Sequence, residues 1–549
     1  MVDPITVEVI KYAAIFAAEE MGIVLRNTAF SPNIKDRLDH SCAILTPGGD
    51  LVAQAEHIPV HLGSMSIGTK NLINYIMNEK IELKANDVIL TNDPYISGTH
   101  LNDLMVLKPI YLNNKLVAFV ANKAHHVDVG GAVPGSIGGK VRNLIEEGIV
   151  IPPIKIIDNG NIRKDIIKLI ETNVRTPRYF RGDLMAQIAA LNVGERRIKE
   201  VVERYGVKTL LDAWEEILSY TERYTRNIIS KKGRVGSYEA EDYMELPEGD
   251  LVSIYVRIDI GKSSVKVSFE GTSPQVEEPI NAVYGVTVAA TTYALKAVID
   301  PEMPMNQGFY RVVSIYAPEG SLVNPRPPAP VSGGNVETSQ RIADVVLKAL
   351  ANAFPENVPA ASCGTMTNVM VGGKGWAFYE TIGCGSGGRP NGDGVDGVHI
   401  NMTNTLNSPI EIIENEYPIL FIKYELRPDS GGPGTYRGGL GIIRAFKVLE
   451  EGVILTIYSE RCRTRPWGLL GGKAGAPSHH YIVKSSGEVI SLGAKSTIAL
   501  SRGDVIYINT PGGGGYGDPC KRSRELIVKD LEEEKISLNH AISEYCYSK

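Results

Sequence analysis

Two short windows constrain this chain more than any other part of it. Thr91-Asn92-Asp93-Pro94-Tyr95-Ile96-Ser97-Gly98-Thr99-His100-Leu101-Asn102-Asp103-Leu104 follows the apolar run Val88-Ile89-Leu90. Ala121-Asn122-Lys123-Ala124-His125-His126-Val127-Asp128-Val129-Gly130-Gly131 continues the run Leu116-Val117-Ala118-Phe119-Val120. Both runs read as buried strands that deliver polar side chains at or just past their ends. Three of the ten histidines fall in these windows. His100 and Asp103, three apart in a loop, can turn an imidazole and a carboxylate onto one ion, and His125 can add a third ligand. Two histidines and a carboxylate with open positions suit Zn, Mn or Fe(II) better than Ca or Mg. A single histidine at a strand end is more often a satisfied polar residue. Three ligand side chains converging within 26 residues are not explained by solvation alone.

Such a site lacks a fourth ligand. Lys35-Asp36-Arg37-Leu38-Asp39-His40 runs into the strand Ser41-Cys42-Ala43-Ile44-Leu45, which turns at Pro47-Gly48-Gly49-Asp50 into a second strand, residues 51–55. This reads as a β-hairpin. Asp39, at the hairpin entrance, is the preferred fourth ligand, with His57 and His61 beyond its exit as rivals; a solvated loop carboxylate is the plainer reading of Asp39. His126 and Asp128 are candidates for a general base, or for orienting a ligand imidazole from behind.

At 549 residues the chain exceeds what one core supports, so several domains are expected. A formal net charge of -6 with no long Lys/Arg run gives no electrostatic footprint for nucleic acid or anionic membrane. The N-terminus is interrupted by Asp3, Glu8, Lys11, Glu19 and Glu20 and lacks the apolar core of a signal peptide. Residues 282–299 read as a buried helix rather than a membrane span. The expectation is a soluble, cytoplasmic protein. Cys42, Cys363, Cys384, Cys462, Cys520 and Cys546 contain no C-x-x-C pair, which argues against a zinc ribbon, an iron-sulfur cluster and a disulfide framework; they are expected to be mostly buried thiols.

Taken in order, residues 6–26 have the 3.6 period of an amphipathic helix, and 64–77 form another. From 165 to 229 the pattern is helical, punctuated by Gly182, Gly194 and Gly206. Around Gly236 it changes to period two, with a hairpin over 254–269. Gly261-Lys262-Ser263 at its tip is not a Walker A tail, because the required glycine is replaced by Val256. The glycine-rich pieces at 371–375, 385–389 and 511–517 read as tight turns. Residues 336–354 form a helix whose Gly-Gly-Asn approach can meet an anion. Glu414 and Glu416 read as lining one face of a strand. Strands at 442–448, 453–458, 480–483 and 505–509 precede a closing helix, 522–545. The fold class is α+β and multi-domain: an N-terminal metal-bearing α/β part with long helices (1–235), a central α/β part (236–430) and a β-rich C-terminal part with a closing helix (431–549).

Several stretches together carry a resemblance. These are Ile34-Lys35-Asp36-Arg37-Leu38-Asp39, Asn92-Asp93-Pro94-Tyr95 with Gly98-Thr99-His100-Leu101-Asn102-Asp103, and His125-His126-Val127-Asp128-Val129-Gly130-Gly131. Gly334-Asn335-Val336-Glu337-Thr338-Ser339-Gln340-Arg341, Asp429-Ser430-Gly431-Gly432-Pro433-Gly434 with Arg437-Gly438-Gly439, and residues 512–519 complete the set. In this order they resemble the hydantoinase B/oxoprolinase family over nearly the whole chain. The resemblance implies a B-type subunit that completes a reaction at a divalent metal, Zn or Mn. An A-type partner with an actin-like ATPase fold would bind ATP and phosphorylate the substrate, giving a hetero-oligomer. It places the metal on His100, Asp103 and His125, with Asp39 as a further ligand in some members; His40 departs from the aromatic residue expected after Asp39. The implied reaction is ATP-dependent opening of a cyclic amide: a hydantoin, 5-oxoproline or a lactam. Carboxylation of a ketone is the alternative reaction, a hydrolase working without ATP or a partner is another, and a non-catalytic assembly subunit is the alternative of a different class.

Overall fold

The computed structural model describes residues 2–55, 57–139, 141–247 and 249–548. The N-terminal helix, Pro4–Thr28, starts where Asp3 accepts a hydrogen bond from the Thr6 N–H at 3.0 Å and where proline occupies the first turn. Both devices suit a helix start, since the first N–H groups have no partner within the helix. Its buried stripe, Ile10, Ala14, Ala17, Ala18, Met21 and Leu25, lies on a seven-stranded antiparallel sheet and on the long helix Pro177–Tyr205.

The sheet has the order β2-β1-β5-β4-β3-β6-β7. Its strands are β1 (His40–Leu45), β2 (Leu51–Ala55), β3 (Val88–Thr91), β4 (Asp103–Leu112), β5 (Lys115–His125), β6 (Ile154–Asp158) and β7 (Asn161–Ile162). Every residue of β1, β2 and β3 is buried, as is most of β4 and β5. Helices cover both faces, which is why these strands read as continuous apolar runs rather than as alternation. On the second face lies the helix Val60–Asn78. It begins earlier than residue 64, so His61 sits in its first turn. Gly68 lets this helix reach the backbone at Ser97: a Cβ there would stand 2.0 Å from the Ser97 carbonyl oxygen.

Residues 164–232 form three helices, Lys164–Asn173, Pro177–Tyr205 and Val207–Lys232. Gly206, at φ 81°, separates the last two. Gly182 and Gly194, expected as punctuation, lie inside the Pro177–Tyr205 helix. They are contact points: a Cβ on Gly182 would stand 2.2 Å from the Phe30 ring, and one on Gly194 would stand 2.4 Å from Met21 Sδ. A second sheet, β11-β10-β9-β8, is built from β8 (Gly236–Glu245), β9 (Leu251–Ile260), β10 (Val265–Ser268) and β11 (Val313–Tyr316). The Gly261-Lys262-Ser263 segment is the turn between β9 and β10. The buried helices Tyr284–Ile299 and Ser339–Ala353 pack on each other, and the latter packs on this sheet. One hydrophobic core runs from the N-terminal helix through both regions.

The last two sheets share a separate core. One, ordered β13-β12-β16-β19, contains β12 (Asn368–Gly373), β13 (Trp376–Thr381), β16 (Val453–Tyr458) and β19 (Lys495–Leu500). The other, ordered β14-β15-β20-β17-β18, contains β14 (Ile419–Leu426), β15 (Ile442–Val448), β17 (His479–Val483), β18 (Val489–Leu492) and β20 (Val505–Asn509). The whole is a mixed α+β fold of several sheets, as expected.

Three local expectations are corrected. Glu414 and Glu416 lie in a helix, Ile410–Glu416, not a strand. The closing helix is two helices, Arg524–Glu532 and Leu538–Glu544. The break falls at Glu534, whose φ of 54° is left-handed, and Ser537 restarts the chain by accepting the His540 N–H at 3.1 Å. Cys363 pairs with Cys384 and Cys520 with Cys546 as disulfides, against the reading of buried thiols; the tertiary fold brings together cysteines that no short spacing links. Cys42 and Cys462 remain free. No helix among the described residues is long and apolar enough to cross a membrane.

The Gly68 contact generates a test. Gly68→Ala forces a methyl group against backbone and is expected to lower the unfolding free energy by about 1–3 kcal/mol, read from a urea transition. An unchanged midpoint would show that the Val60–Asn78 helix can move away from Ser97 at no cost.

Candidate metal centre

Strand register assembles the centre. Asp103, the first residue of β4, is paired with His125, the last of β5, and directly opposed residues in an antiparallel pair share a face. The Asp103 N–H donates to the His100 carbonyl at 3.1 Å, a tight turn that folds His100 back over its neighbour. Asp39 precedes β1, next to β5, and its carbonyl accepts the His125 N–H at 3.1 Å. His61 enters from the first turn of the Val60–Asn78 helix. Asp39, His61, His100, Asp103 and His125 are all buried.

The ligand atoms face one another. Asp103 Oδ2 lies 3.1 Å from His100 Nδ1 and 3.4 Å from His61 Nε2, while its Oδ1 lies 3.8 Å from His125 Nδ1. Asp39 Oδ2 lies 3.4 Å from His125 Nδ1. Two trios, His100/Asp103/His125 and Asp39/His61/Asp103, each keep their ligand atoms within 4.8 Å of one another. His100 Nε2, His125 Nε2 and Asp103 Oδ1 are buried without a hydrogen-bond partner, and His100 Nδ1 has only its approach to Asp103 Oδ2. Buried polar atoms are seldom left so, and the trio His100, Asp103 and His125, with the Asp39 carboxylate beside His125, is a donor set suited to Zn or Mn. The residues present therefore fit a divalent cation.

The electrostatics agree. Burial pushes Asp39 above the usual carboxylate range, and the neighbouring Asp103 charge pushes it further. Burial acts on Asp103 in the same direction, but His100 and His61 outweigh it and hold that carboxyl well below its usual value. Burial, reinforced by His100, keeps His125 neutral, the form in which imidazole binds metal. Asp39 and Asp103 repel one another here, and a divalent cation held by these residues would offset that repulsion.

Several side chains hold this arrangement. His61 Nδ1 lies 3.1 Å from Ser41 Oγ, which fixes its ring while Nε2 faces Asp103. The Tyr379 ring of β13 stacks on His125 at 4.9 Å between centroids with 7° between planes. The buried Arg37 guanidinium lies 4.8 Å from the Tyr379 centroid and donates to Thr381 Oγ1 at 2.9 Å. Lys123 is two residues before His125 and so on the same strand face. Its ammonium donates to the Ser97 carbonyl at 2.9 Å, and burial brings its pKa down to about 8. Of these supporting residues the two windows contain only Lys123 and Ser97. Arg37 stands in the Asp36-Arg37-Leu38-Asp39 segment without a signal for its role, and Tyr379 arrives from far along the chain.

The other candidates lie elsewhere. His126 follows the end of β5 and turns away from the cluster; its Nε2 lies 3.0 Å from Gln187 Oε1, and its ring packs near Phe180. Asp128 accepts from the N–H groups of Gly130, Gly135 and Arg175 at 2.9, 3.1 and 2.9 Å and from Arg175 Nη1 at 3.0 Å. Both its oxygens are thus engaged in tying the 128–135 loop to Arg175. His57 stacks on His40 at 4.5 Å and abuts Gly22 of the N-terminal helix, outside the cluster.

With this geometry in place, comparison with known proteins is informative. The family model described as hydantoinase B/oxoprolinase matches residues 3–519. An uncharacterized protein of Methanocaldococcus jannaschii is 56% identical over 543 residues, covering 99% of this chain and 96% of that one. The 5-oxoprolinase 1 of Arabidopsis thaliana is 38% identical over 540 residues, 94% of this chain but 42% of the plant protein. The putative B-type subunit of a D-/L-hydantoinase from a Pseudomonas strain is 32% identical over 565 residues, 99% of this chain and 95% of that protein. The solved ATP-dependent caprolactamase from Pseudomonas jessenii superposes with a TM-score of 0.93 at 29% identity, covering 99% of this chain and 96% of the other. The stretches that bear the resemblance in the sequence and the full-length match agree: the chain belongs to the hydantoinase B/oxoprolinase family.

Proposed function

We propose that the chain is the metal-bearing B-type subunit of an ATP-dependent cyclic amidohydrolase, opening a hydantoin, 5-oxoproline or lactam ring together with a phosphorylating A-type subunit. The observation that carries this reading is the pair of buried trios His100/Asp103/His125 and Asp39/His61/Asp103, which share Asp103, together with the unpartnered His100 Nε2, His125 Nε2 and Asp103 Oδ1. The names of the relatives supply the substrate class, and full-length similarity to a hydantoinase's B-type subunit supports a separate partner.

In this reading Asp39, His100, Asp103 and His125 hold a Zn or Mn ion, and His61 clamps Asp103. An amide carbonyl resists water because resonance makes it a poor electrophile; phosphorylation of its oxygen by the partner removes that resonance and installs a leaving group. A divalent ion in such a site polarises a carbonyl or phosphoryl oxygen and acidifies water toward neutrality. Tyr379 and Arg37 keep His125 from rotating, and His126 and Asp128 act from behind by fixing the strand end and the loop after it.

Metal analysis and melting on the same preparation test the assignment. The wild-type chain should carry about one divalent ion, and Asp103→Asn should weaken metal binding by about 10–100-fold or more with activity falling in step. Asp128→Asn should instead lower the melting temperature while leaving metal content unchanged. Full occupancy and full activity in Asp103→Asn would remove that residue from the ligand set.

A second test concerns the partner. With no nucleotide motif recognised in the sequence, ATP turnover should appear only when an A-type chain is added, and products analysed with and without bicarbonate should show ring opening that does not depend on bicarbonate. Robust ATP hydrolysis by the pure chain would contradict the division of labour, and a bicarbonate-dependent product would favour carboxylation.

A further inference from the structure

The helix Pro4–Thr28 is apolar on two faces. One is buried against the seven-stranded sheet and the Pro177–Tyr205 helix. The other carries Ile5, Val9, Tyr12, Phe16 and Ile23, which are 78%, 44%, 50%, 67% and 55% exposed, and its N-terminal half lines a shallow apolar groove between Pro4 and Phe16. A surface helix ordinarily turns polar residues outward on the side away from the core. A contiguous exposed apolar strip marks a contact surface instead.

The spacing of the strip says what kind of contact. Its residues stand four, three, four and seven apart, the repeat of a helix-to-helix seam, with Glu19 at the one position of the series that is not apolar. The series reads the same in both directions about residue 14. A second copy laid antiparallel therefore matches it position for position: Ile5 falls on Ile23 of the second copy, Tyr12 on Phe16, and Val9 on Glu19. We propose that this face pairs the Pro4–Thr28 helices of two copies of the chain, antiparallel, in a two-fold symmetric dimer.

Charge selects this arrangement. Arg26, exposed in the last turn, has no ion pair among the described residues, and neither has Asp3 at the N-cap. Antiparallel pairing brings Arg26 of each copy to the end of the other helix where Asp3 stands. Parallel pairing would set Arg26 against Arg26 and Glu19 against Glu19, and like charges so placed are destabilising. Glu8 and Glu20, which flank the seam, are already paired within the chain, with Lys11 and Arg197. With Glu8, Glu19 and Glu20 along it, the strip lacks the Lys/Arg-rich border by which an amphipathic helix lies on an anionic bilayer. Tyr12 and Phe16 are neighbouring rings with 6.3 Å between centroids. Their copies add two more rings at the two-fold axis, and aromatic side chains dominate the energetics of such contacts. The pairing depends on neither the metal nor the reaction.

The test is sedimentation equilibrium of the full chain over a concentration series, with circular dichroism and metal content recorded for each variant. Wild type should sediment as a dimer that dissociates on dilution. Phe16→Glu should raise its dissociation constant by about 100-fold or more, since each copy loses a buried ring and gains a charge. Ile5→Glu should act in the same direction, and both should keep the wild-type circular dichroism and metal content, because the two side chains face solvent in the single chain. Mild oxidation should link the double variant Ile5→Cys/Ile23→Cys into covalent dimers. Ile5→Cys alone should not link, because antiparallel helices hold the two copies of residue 5 about 27 Å apart. Wild type that stays monomeric at every concentration would overturn the dimer, whichever other molecule then covers the face. A dimer left intact by Phe16→Glu and Ile5→Glu would place the contact elsewhere and overturn it too. Linkage of the Ile5→Cys single variant, or no linkage of the double variant, would overturn the antiparallel pairing.

Discussion

The carboxylate of Asp103 is the point on which the N-terminal architecture depends. It is wholly buried, yet it faces three imidazoles, from His61, His100 and His125, and a second carboxylate, Asp39, stands across His125. A charge placed so deep in a protein is sustained only when opposite charge or strong donors surround it. The antiparallel register of β4 and β5 brings Asp103 opposite His125, the turn after Gly98 returns His100, and the early start of the Val60–Asn78 helix brings His61. Each of these backbone decisions converges on one carboxyl group. Helices packed on both sheet faces then exclude water from it.

The centre is closed by residues from the far end of the chain. Tyr379 on β13 covers His125, and its hydroxyl is fixed by Asn368 on β12, so two neighbouring strands of a later sheet set the orientation of that imidazole. Arg37 links the two regions from the other direction, donating to the Tyr379 carbonyl and to Thr381. A cluster whose His and Asp side chains come from the first 125 residues but whose cover does not should respond to changes in the later sheets as well as to changes in those side chains.

Much of this was legible in the sequence, for definite reasons. Asp103 and His125 lie at the ends of two long, strongly apolar strands and His100 in the short loop just before the first of them, where strand period and turn length leave little freedom, and Asp39 sits at the start of a hairpin with a clear turn. His61 could be named only as a rival, because helix starts are poorly marked when the preceding residue is proline without a side-chain cap. Tyr379 was not legible: it stands in an ordinary apolar strand, and its contact with His125 depends on how sheets pack. The disulfides were missed on the same ground, since separations of 21 and 26 residues give no local signal. Gly182 and Gly194 looked like helix breaks because glycine is a poor helix former, whereas close packing on Phe30 and Met21 is what they serve. Asp128, in a window dense with ligand types, resembled a catalytic group in sequence; the geometry engages both its oxygens with the loop after it and with Arg175.

The measurement that bears most directly on the account is anomalous diffraction from crystals of the metal-loaded chain, collected on both sides of the metal absorption edge. The account predicts one strong peak within coordination distance of His100, Asp103 and His125, with Asp39 completing the set and His61 in contact with Asp103. A peak held by other residues, or none at this cluster in a chain that retains its metal, would contradict it.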